Sequence, residues 1–145
     1  MIDCISMYQP WAQWVALGWK PIETRRHNKL ACLARRGRRI VIHAADKWDS
    51  EWWIKSREFI TSDRRQITMA EKDRWPRGAL ICTVFPTELS RLSSVMSNLA
   101  LCDCSGNDLY GLILKDAQRF DPIKWSGHQG IMKVPEEVIE KAVKG

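Results

Sequence analysis

A dense run of charged side chains of both signs follows an apolar stretch near the start of the chain. The segment GWKPIETRRH, residues 18–27, holds Lys20, Glu23, Arg25 and Arg26 within seven positions. Lys20 offers a compact ammonium, and the planar guanidinium of Arg25 can bind a phosphate or a guanine edge through two hydrogen bonds. Glu23 can accept a hydrogen bond from the exocyclic amine of a base, or it can hold Arg25 in position. These residues predict a site for an anionic ligand, and a surface network of ion pairs is the alternative.

The positive charge of the chain is concentrated around this segment. Eight Lys or Arg residues and one acid lie between Lys20 and Arg39, a local charge of +7, whereas the whole chain carries +6. A concentrated positive field raises the local concentration of polyanions and speeds their encounter. We expect Arg35, Arg36, Arg38 and Arg39 to contact backbone phosphates, which position a nucleic acid without reading its sequence. The alternative is a face that only keeps the protein in solution.

Three residues outside this segment are further candidates for contact with a nucleic acid. Gln9 and Trp11 stand at the start of the first helix, and an indole ring that stacks on a base contributes about 1–3 kcal/mol. Packing in the core is the alternative for Trp11. His128 lies in the turn SGHQG, whose glycines allow a ligand to approach closely. His43 lies in an apolar strand with no serine or cysteine assignable to it, and we interpret it as a structural histidine.

The composition is that of a single globular domain spanning residues 1–145. The chain is 45% hydrophobic and 28% charged, an ordinary balance for a folded domain. It contains no run of about 18 apolar residues, so no membrane span is expected, and its first residues lack the features of a secretory signal. The sequence therefore predicts a cytoplasmic protein with no membrane partner.

The cysteines favour the same compartment. Five scattered cysteines are an odd number, which argues against a secreted disulfide framework and for reduced thiols. Cys102 and Cys104 are separated by one residue, a spacing that misses the usual zinc half-site. We expect neither a bound metal nor another cofactor.

The hydrophobic pattern predicts an α+β fold. Strands are expected at residues 2–7, 22–25, 39–44, 78–85, 109–114 and 131–134. Helices are expected at residues 10–18, 48–60, 86–100 and 135–144, with a basic loop at residues 28–37 and a capping box from Thr68 to Glu71. The irregular spacing differs from the regular alternation of a parallel sheet. We therefore predict a small mixed or antiparallel β-barrel decorated by helices, with Glu23 and Arg25 on one face of the second strand.

The same segments resemble a known family. SMYQPWAQWVALGWKPIETR is similar to the opening of ASCH domains, and the family signature G-x-K-x-x-E-x-R is matched by Gly18, Lys20, Glu23 and Arg25. RGRRIVIHA, GALICTV, LYGLIL and SGHQGIMKV follow in the family's order, so the resemblance runs from about residue 4 to residue 134. It looks closest to the long-form subgroup with a Q-P-W motif, which includes the ASCH domain of the activating signal cointegrator and its prokaryotic and phage relatives.

The resemblance implies a PUA-like fold and a cleft lined by the signature residues, suited to RNA, DNA or a nucleotide. Some ASCH proteins bind nucleic acid, a shorter subgroup hydrolyses N4-acylated cytidines, and one member has been assigned a ribonuclease activity. The hydrolase subgroup uses a lysine and a threonine of the motif with a later glutamate. Here Glu23 stands where that threonine would be, and Thr24 would point to the opposite face of an extended segment.

The leading prediction is therefore a non-enzymatic module that binds RNA or DNA and holds a single or modified base. Lys20, Glu23 and Arg25 would form the floor of the pocket. The alternative prediction is a hydrolase acting on a nucleoside or nucleic acid, either an N4-acylcytidine amidohydrolase or a ribonuclease. Lys20 and Glu23 would then be its catalytic residues.

Overall fold

A mixed β-sheet organises the protein, of which the computed structural model describes residues 1–106 and 108–144. In this part of the chain the sheet has six strands: β1 (Ile2–Gln9), β2 (Ile22–Arg25), β3 (Ile40–Trp48), β4 (Ala79–Arg91), β5 (Tyr110–Lys124) and β6 (Met132–Val134). Their order across the sheet is β2-β5-β4-β3-β1-β6. β1 and β3 run parallel, and every other neighbouring pair is antiparallel.

Short helices lie between and beside these strands. Over the described residues they are α1 (Trp11–Ala16), α2 (Ala31–Arg36), α3 (Trp52–Ser56), α4 (Ser62–Glu71), α5 (Ser97–Ala100) and α6 (Glu136–Lys144). None of these helices has the length and apolar content needed to cross a bilayer. The mixed α+β class predicted from the sequence is confirmed.

The first five residues of β3 are buried on both faces of the sheet, which explains their continuous apolar character. Ile40 and Ile42 belong to one hydrophobic cluster that includes residues of α1 and α2. Val41, between them, belongs to a second cluster on the opposite face, which includes Ile139 of α6. Alternate residues of a strand point to opposite faces, so a strand covered on both sides needs apolar residues at successive positions.

The prediction of a closed β-barrel is wrong. β2 and β6 are the two edges of the sheet, and no pairing joins them in the described residues. β6 has only three residues and pairs with Ile2, Asp3 and Cys4 of β1, so it leaves the later part of β1 without a strand on that side. The side chain of Arg25 reaches this part of β1 instead, and its Nη2 donates to the backbone oxygen of Ser6 at 3.2 Å.

Residues 86–100, predicted as a helix, begin as a strand and are helical only from Ser94 onward. Pro86–Arg91 belongs to β4 and pairs with the start of β5, and only Ser97–Ala100 is α-helical. Sheet pairing with β5 therefore overrides the helical spacing of the apolar residues.

Three further local predictions also differ from the structure. The expected basic loop contains helix α2. The helix expected over residues 48–60 is limited to α3, because β3 extends to Trp48. Thr68, predicted to start a capping box, lies inside α4. The cap of α4 is Thr61, whose hydroxyl accepts a hydrogen bond from the backbone N–H of Arg64.

Asp3 joins β1 to two other elements. Its carboxylate accepts a hydrogen bond of 2.7 Å from Arg36 at the end of α2, and another from Lys133 in β6. The Asp3 side chain is only 10% exposed, and burial alone would raise its pKa. The hydrogen bonds and charges of Lys133 and Arg36 outweigh this effect, so the pKa of Asp3 is lowered.

We predict that Asp3→Asn lowers the free energy of unfolding by about 1 kcal/mol near neutral pH, the scale of ion pairs whose cations are exposed to solvent. Because the folded-state pKa of Asp3 is depressed, its contribution is present above the unfolded pKa and is lost as the pH falls through the folded pKa. Urea unfolding of both proteins at about pH 7 and about pH 3 tests this. The difference between them should shrink in acid, and a pH-independent difference would contradict the assignment. Asp121→Asn, at an exposed carboxylate, is the control.

Candidate functional site

A cleft of about 1720 Å³ opens where β1, β2 and β3 approach the segment 122–131. Ser6 and Tyr8 of β1, Glu23 and Arg25 of β2 and His43 of β3 contribute to its walls. Each of these side chains is positioned by a strand of the sheet, so the cleft has a rigid wall. Lys20, Glu23 and Arg25 of the signature are among the residues that line it.

Positive side chains outnumber negative ones around the cleft. Among the described residues, seven lysines or arginines and three acids line it. The cations are Lys20, Arg25, Lys29, Lys47, Lys55, Arg77 and Lys124, and the acids are Glu23, Asp46 and Asp49. Lys29, Lys47 and Lys124 are exposed, and the described residues provide no ion-pair partner for them. These three ammonium groups are therefore available to an anionic ligand.

Lys20 is buried at the bottom of the cleft and is 2% exposed. Its ammonium donates a hydrogen bond to the backbone oxygen of Ala100 and lies 5.2 Å from the centre of the Trp11 ring. No carboxylate in the described part of the chain forms an ion pair with it. Lys20 therefore supplies an unneutralised positive charge in a region of low dielectric, where it acts strongly on a nearby anion.

Glu23 and Arg25 lie side by side, as their spacing on an extended strand predicts. The Oε2 atom of Glu23 accepts a hydrogen bond of 3.2 Å from Arg25, and its Oε1 atom accepts one of 3.1 Å from the Thr24 amide. Glu23 is 7% exposed, so the pair is largely shielded from solvent. Both oxygens of Glu23 are engaged, which supports its role in holding Arg25. The Nε atom of Arg25 is buried and has no acceptor among the described residues.

The remaining candidates from the first helix and the SGHQG turn have different environments. Trp11 lines the cleft, and its indole nitrogen donates to Asp49 at 3.0 Å. Gln9 is fully buried. Its side-chain amide donates a hydrogen bond to the backbone oxygen of Pro76 and accepts one from the backbone N–H of Gln13. Its observed contacts are thus structural. His128 is exposed on the wall of the cleft.

Arg26 of the candidate anion site does not line the cleft, and neither do the four arginines predicted to contact backbone phosphates. Arg36 and Arg38 form ion pairs with Asp3 and Glu136. Arg39 donates to the hydroxyl and backbone oxygen of Thr83, and Arg26 and Arg35 are exposed. Arg36, Arg38 and Arg39 of the basic segment 20–39 therefore stabilise contacts between different parts of the fold.

Sequence reasoning missed a hydrogen bond between Ser6 and His43. The Ser6 hydroxyl lies 2.9 Å from Nδ1 of His43, and Nε2 of the same ring lies 2.7 Å from the backbone oxygen of Trp125. The interpretation of His43 as a residue without a nearby serine is therefore wrong. The signal was the pairing of the first and third strands, since Ser6 and His43 are direct partners in the β1–β3 register.

Over the described residues, no group of three His, Cys, Asp or Glu side chains is close enough together to hold a metal ion. All five cysteines are free. The Thr24 hydroxyl lies 3.9 Å from the sulfur of Cys102.

The fold is that of ASCH proteins, as the sequence resemblance predicts. The crystal structure of ASCH from Zymomonas mobilis matches with a TM-score of 0.60 at 16% identity, covering 98% of this chain and 93% of that chain. Two single-substitution variants of the same protein give TM-scores of 0.58 and 0.57 at 17% identity, covering 98% of this chain and 94% and 96% of theirs. No model of a protein family matches the chain, and no curated protein matches its sequence.

We predict that Gly127→Ala disturbs the wall of the cleft. A Cβ atom at residue 127 would lie 2.3 Å from Cε1 of His43, and two hydrogen bonds prevent this ring from moving aside. Overpacking of this kind costs about 1–3 kcal/mol, which denaturant unfolding can measure. Gly106→Ala is the matched control, because its Cβ atom would meet nothing closer than 3.9 Å. Equal stability of the two variants would refute the close packing at Gly127.

Proposed function

From the fold shared with ASCH proteins and the charge of the cleft, we propose that this chain binds RNA or DNA and holds one nucleotide in the cleft. The cleft is open to solvent and carries three lysines for which the described residues provide no ion-pair partner, and this combination supports the proposal. Lys29, Lys47 and Lys124 are positioned to bind backbone phosphates. Contacts of this type give affinity without sequence preference.

The bottom of the cleft provides for the base or sugar of that nucleotide. The Arg25 side chain lines the cleft and is 27% exposed. A guanidinium has five N–H donors, and a ligand oxygen can accept from the exposed part of this group. Glu23 holds the guanidinium through a hydrogen bond of 3.2 Å, and Lys20 adds a positive charge to the lining of the cleft. These contacts favour a ligand that presents acceptor oxygens at the bottom of the cleft.

The contacts of the signature residues favour a positioning role over the predicted catalytic one. Both oxygens of Glu23 accept hydrogen bonds from the protein. The ammonium of Lys20 is bound to Ala100 and covered by Trp11, and the Thr24 hydroxyl is placed against Cys102. All three side chains are thus engaged in contacts within the protein.

We predict that affinity for short single-stranded RNA and DNA falls steeply with salt, and that Lys47→Gln and Lys124→Gln each reduce the slope. Each phosphate contact to a single strand contributes about 0.7 to the slope of log K against log salt concentration. Fluorescence anisotropy over a salt series measures this slope.

Two control variants locate the binding surface. Lys141→Gln removes an exposed cation of α6 outside the cleft, and the slope should stay unchanged. Arg35→Gln tests the arginine face predicted from the sequence, and it should also leave the slope unchanged. If the salt dependence of binding decreases in Arg35→Gln but not in the cleft variants, the nucleic acid binds at α2 and not in the cleft.

A further inference from the structure

We propose that Ser6 and His43 form a nucleophile–base pair that hydrolyses a carboxylic ester. The hydroxyl of Ser6 lies 2.9 Å from Nδ1 of His43, within the reach required for proton transfer. The ring is held on its other side by the backbone oxygen of Trp125 at 2.7 Å. A nucleophile, a base and a group that orients the base are the components of an activated serine. Both side chains line the cleft.

The pairing of β1 with β3 fixes the position of Ser6 relative to His43. Ser6 is the register partner of His43 in the parallel β1–β3 pairing, so the two side chains point to the same face of the sheet. Ser6 lies on the cleft wall and is partly exposed, whereas His43 is 2% exposed. The base is therefore shielded from bulk water while the nucleophile remains accessible.

The hydrogen bonds determine the direction of proton transfer. A backbone carbonyl only accepts hydrogen bonds, so Nε2 of His43 carries the hydrogen that is donated to Trp125. In the neutral ring Nδ1 is then an acceptor, and the Ser6 hydroxyl must donate to it. This is the tautomer in which histidine can remove the hydroxyl proton.

The position of the ring is further restricted by the segment that follows β5. Residue 127 is a glycine whose missing Cβ atom would lie 2.3 Å from Cε1 and 2.5 Å from Nδ1 of His43. The backbone at Gly127 therefore packs directly against the edge of the imidazole that faces the serine. Any larger residue there would change the alignment of the two reacting groups.

Arg25 provides the charge that the reaction needs. Its Nη2 donates to the backbone oxygen of Ser6 at 3.2 Å, which places the guanidinium beside the nucleophile. The Arg25 side chain is 27% exposed and lines the cleft. Its positive charge stabilises the negative oxygen that forms when the serine attacks a carbonyl.

The proposed reaction has two balanced steps. Oγ of Ser6 bonds to the carbonyl carbon while its proton moves to Nδ1 of His43, and the bond to the leaving oxygen then breaks as His43 returns the proton to it. An alcohol departs and an acyl-serine remains. Water then attacks the acyl-serine, with His43 accepting and returning the proton, so that the carboxylic acid and Ser6 are released.

The substrate class rests on the proposed function, which is the binding of a nucleotide in the cleft. A nucleotide whose phosphate is bound by the cleft lysines carries its ribose hydroxyls into the same cleft. An acyl group on a ribose hydroxyl is an ester, and its alcohol leaving group needs only the proton that His43 returns. We therefore expect a ribose ester of a nucleotide as the substrate.

Covalent labelling of the unmodified protein tests the pair without relying on a variant. A fluorophosphonate probe should form an adduct on Ser6, located by peptide mass mapping. Hydrolysis of 2′(3′)-O-acetyl-AMP and of p-nitrophenyl acetate should fall by at least about 100-fold in Ser6→Ala and in His43→Gln, the scale of a lost proton-transfer partner. Ser94→Ala, at an exposed serine of the described chain, is the control and should retain full activity.

The outcomes separate this inference from the proposed function. Loss of hydrolysis in Ser6→Ala with unchanged oligonucleotide binding supports both. Labelling of Ser6 in a protein that binds no oligonucleotide supports the catalytic pair and refutes nucleic-acid binding. Hydrolysis of p-nitrophenyl acetate without hydrolysis of the nucleotide ester refutes the substrate class. An unlabelled Ser6, or full activity in Ser6→Ala, overturns the inference and leaves the Ser6–His43 bond as a structural contact.

Discussion

The parallel pairing of β1 with β3 is the interaction on which the rest of the structure depends. It places Ile5 beside Ile42 in the main hydrophobic cluster and, one residue further on, Ser6 beside His43 on the cleft. Because neighbouring residues of a strand point to opposite faces, one register serves both the core and the site. A shift of one residue would remove the apolar side chains from the core and the hydroxyl from the histidine together.

The open edge of β1 gives the cleft its second wall. Since β6 pairs only with the first residues of β1, the backbone oxygen of Ser6 is free to accept from Arg25. A side chain thus makes the connection between β2 and β1 that a closed barrel would make with backbone hydrogen bonds. A side-chain bridge leaves more space than paired strands do, and the cleft lies where the barrel is not closed.

The charged groups of this protein divide into two kinds by their surroundings. Arg36, Arg38 and Lys133 are paired with acids at the surface, where each ion pair contributes little and depends on salt. Lys20 and Glu23 are buried, and their desolvation is offset by hydrogen bonds and by the Trp11 ring. Burying these charges costs stability, and contacts with the proposed nucleotide would offset part of this cost.

The amino-acid sequence by itself determined where each of the six strands begins, which residues form the signature and where positive charge is in excess. These features depend on neighbours within a few positions: the alternation in IETR places Glu23 and Arg25 on one face, and the apolar run IVIHA marks a strand buried on both sides. The helical spacing of residues 86–100 is equally local, but it was overridden because β5 offered a partner for Pro86–Arg91. Local patterns predict an element only where no distant strand competes for it.

Only the tertiary structure decided which groups meet. Ser6 and His43 are 37 residues apart, and their contact follows from a strand register that no local pattern encodes. The destinations of the arginines were decided in the same way: Arg25 turns to the cleft, while Arg36 and Arg38 turn to acids carried by β1 and α6. The sequence shows which residues carry a charge or a hydroxyl group. Which of them lie close together depends on how the strands pair, and the site requires both.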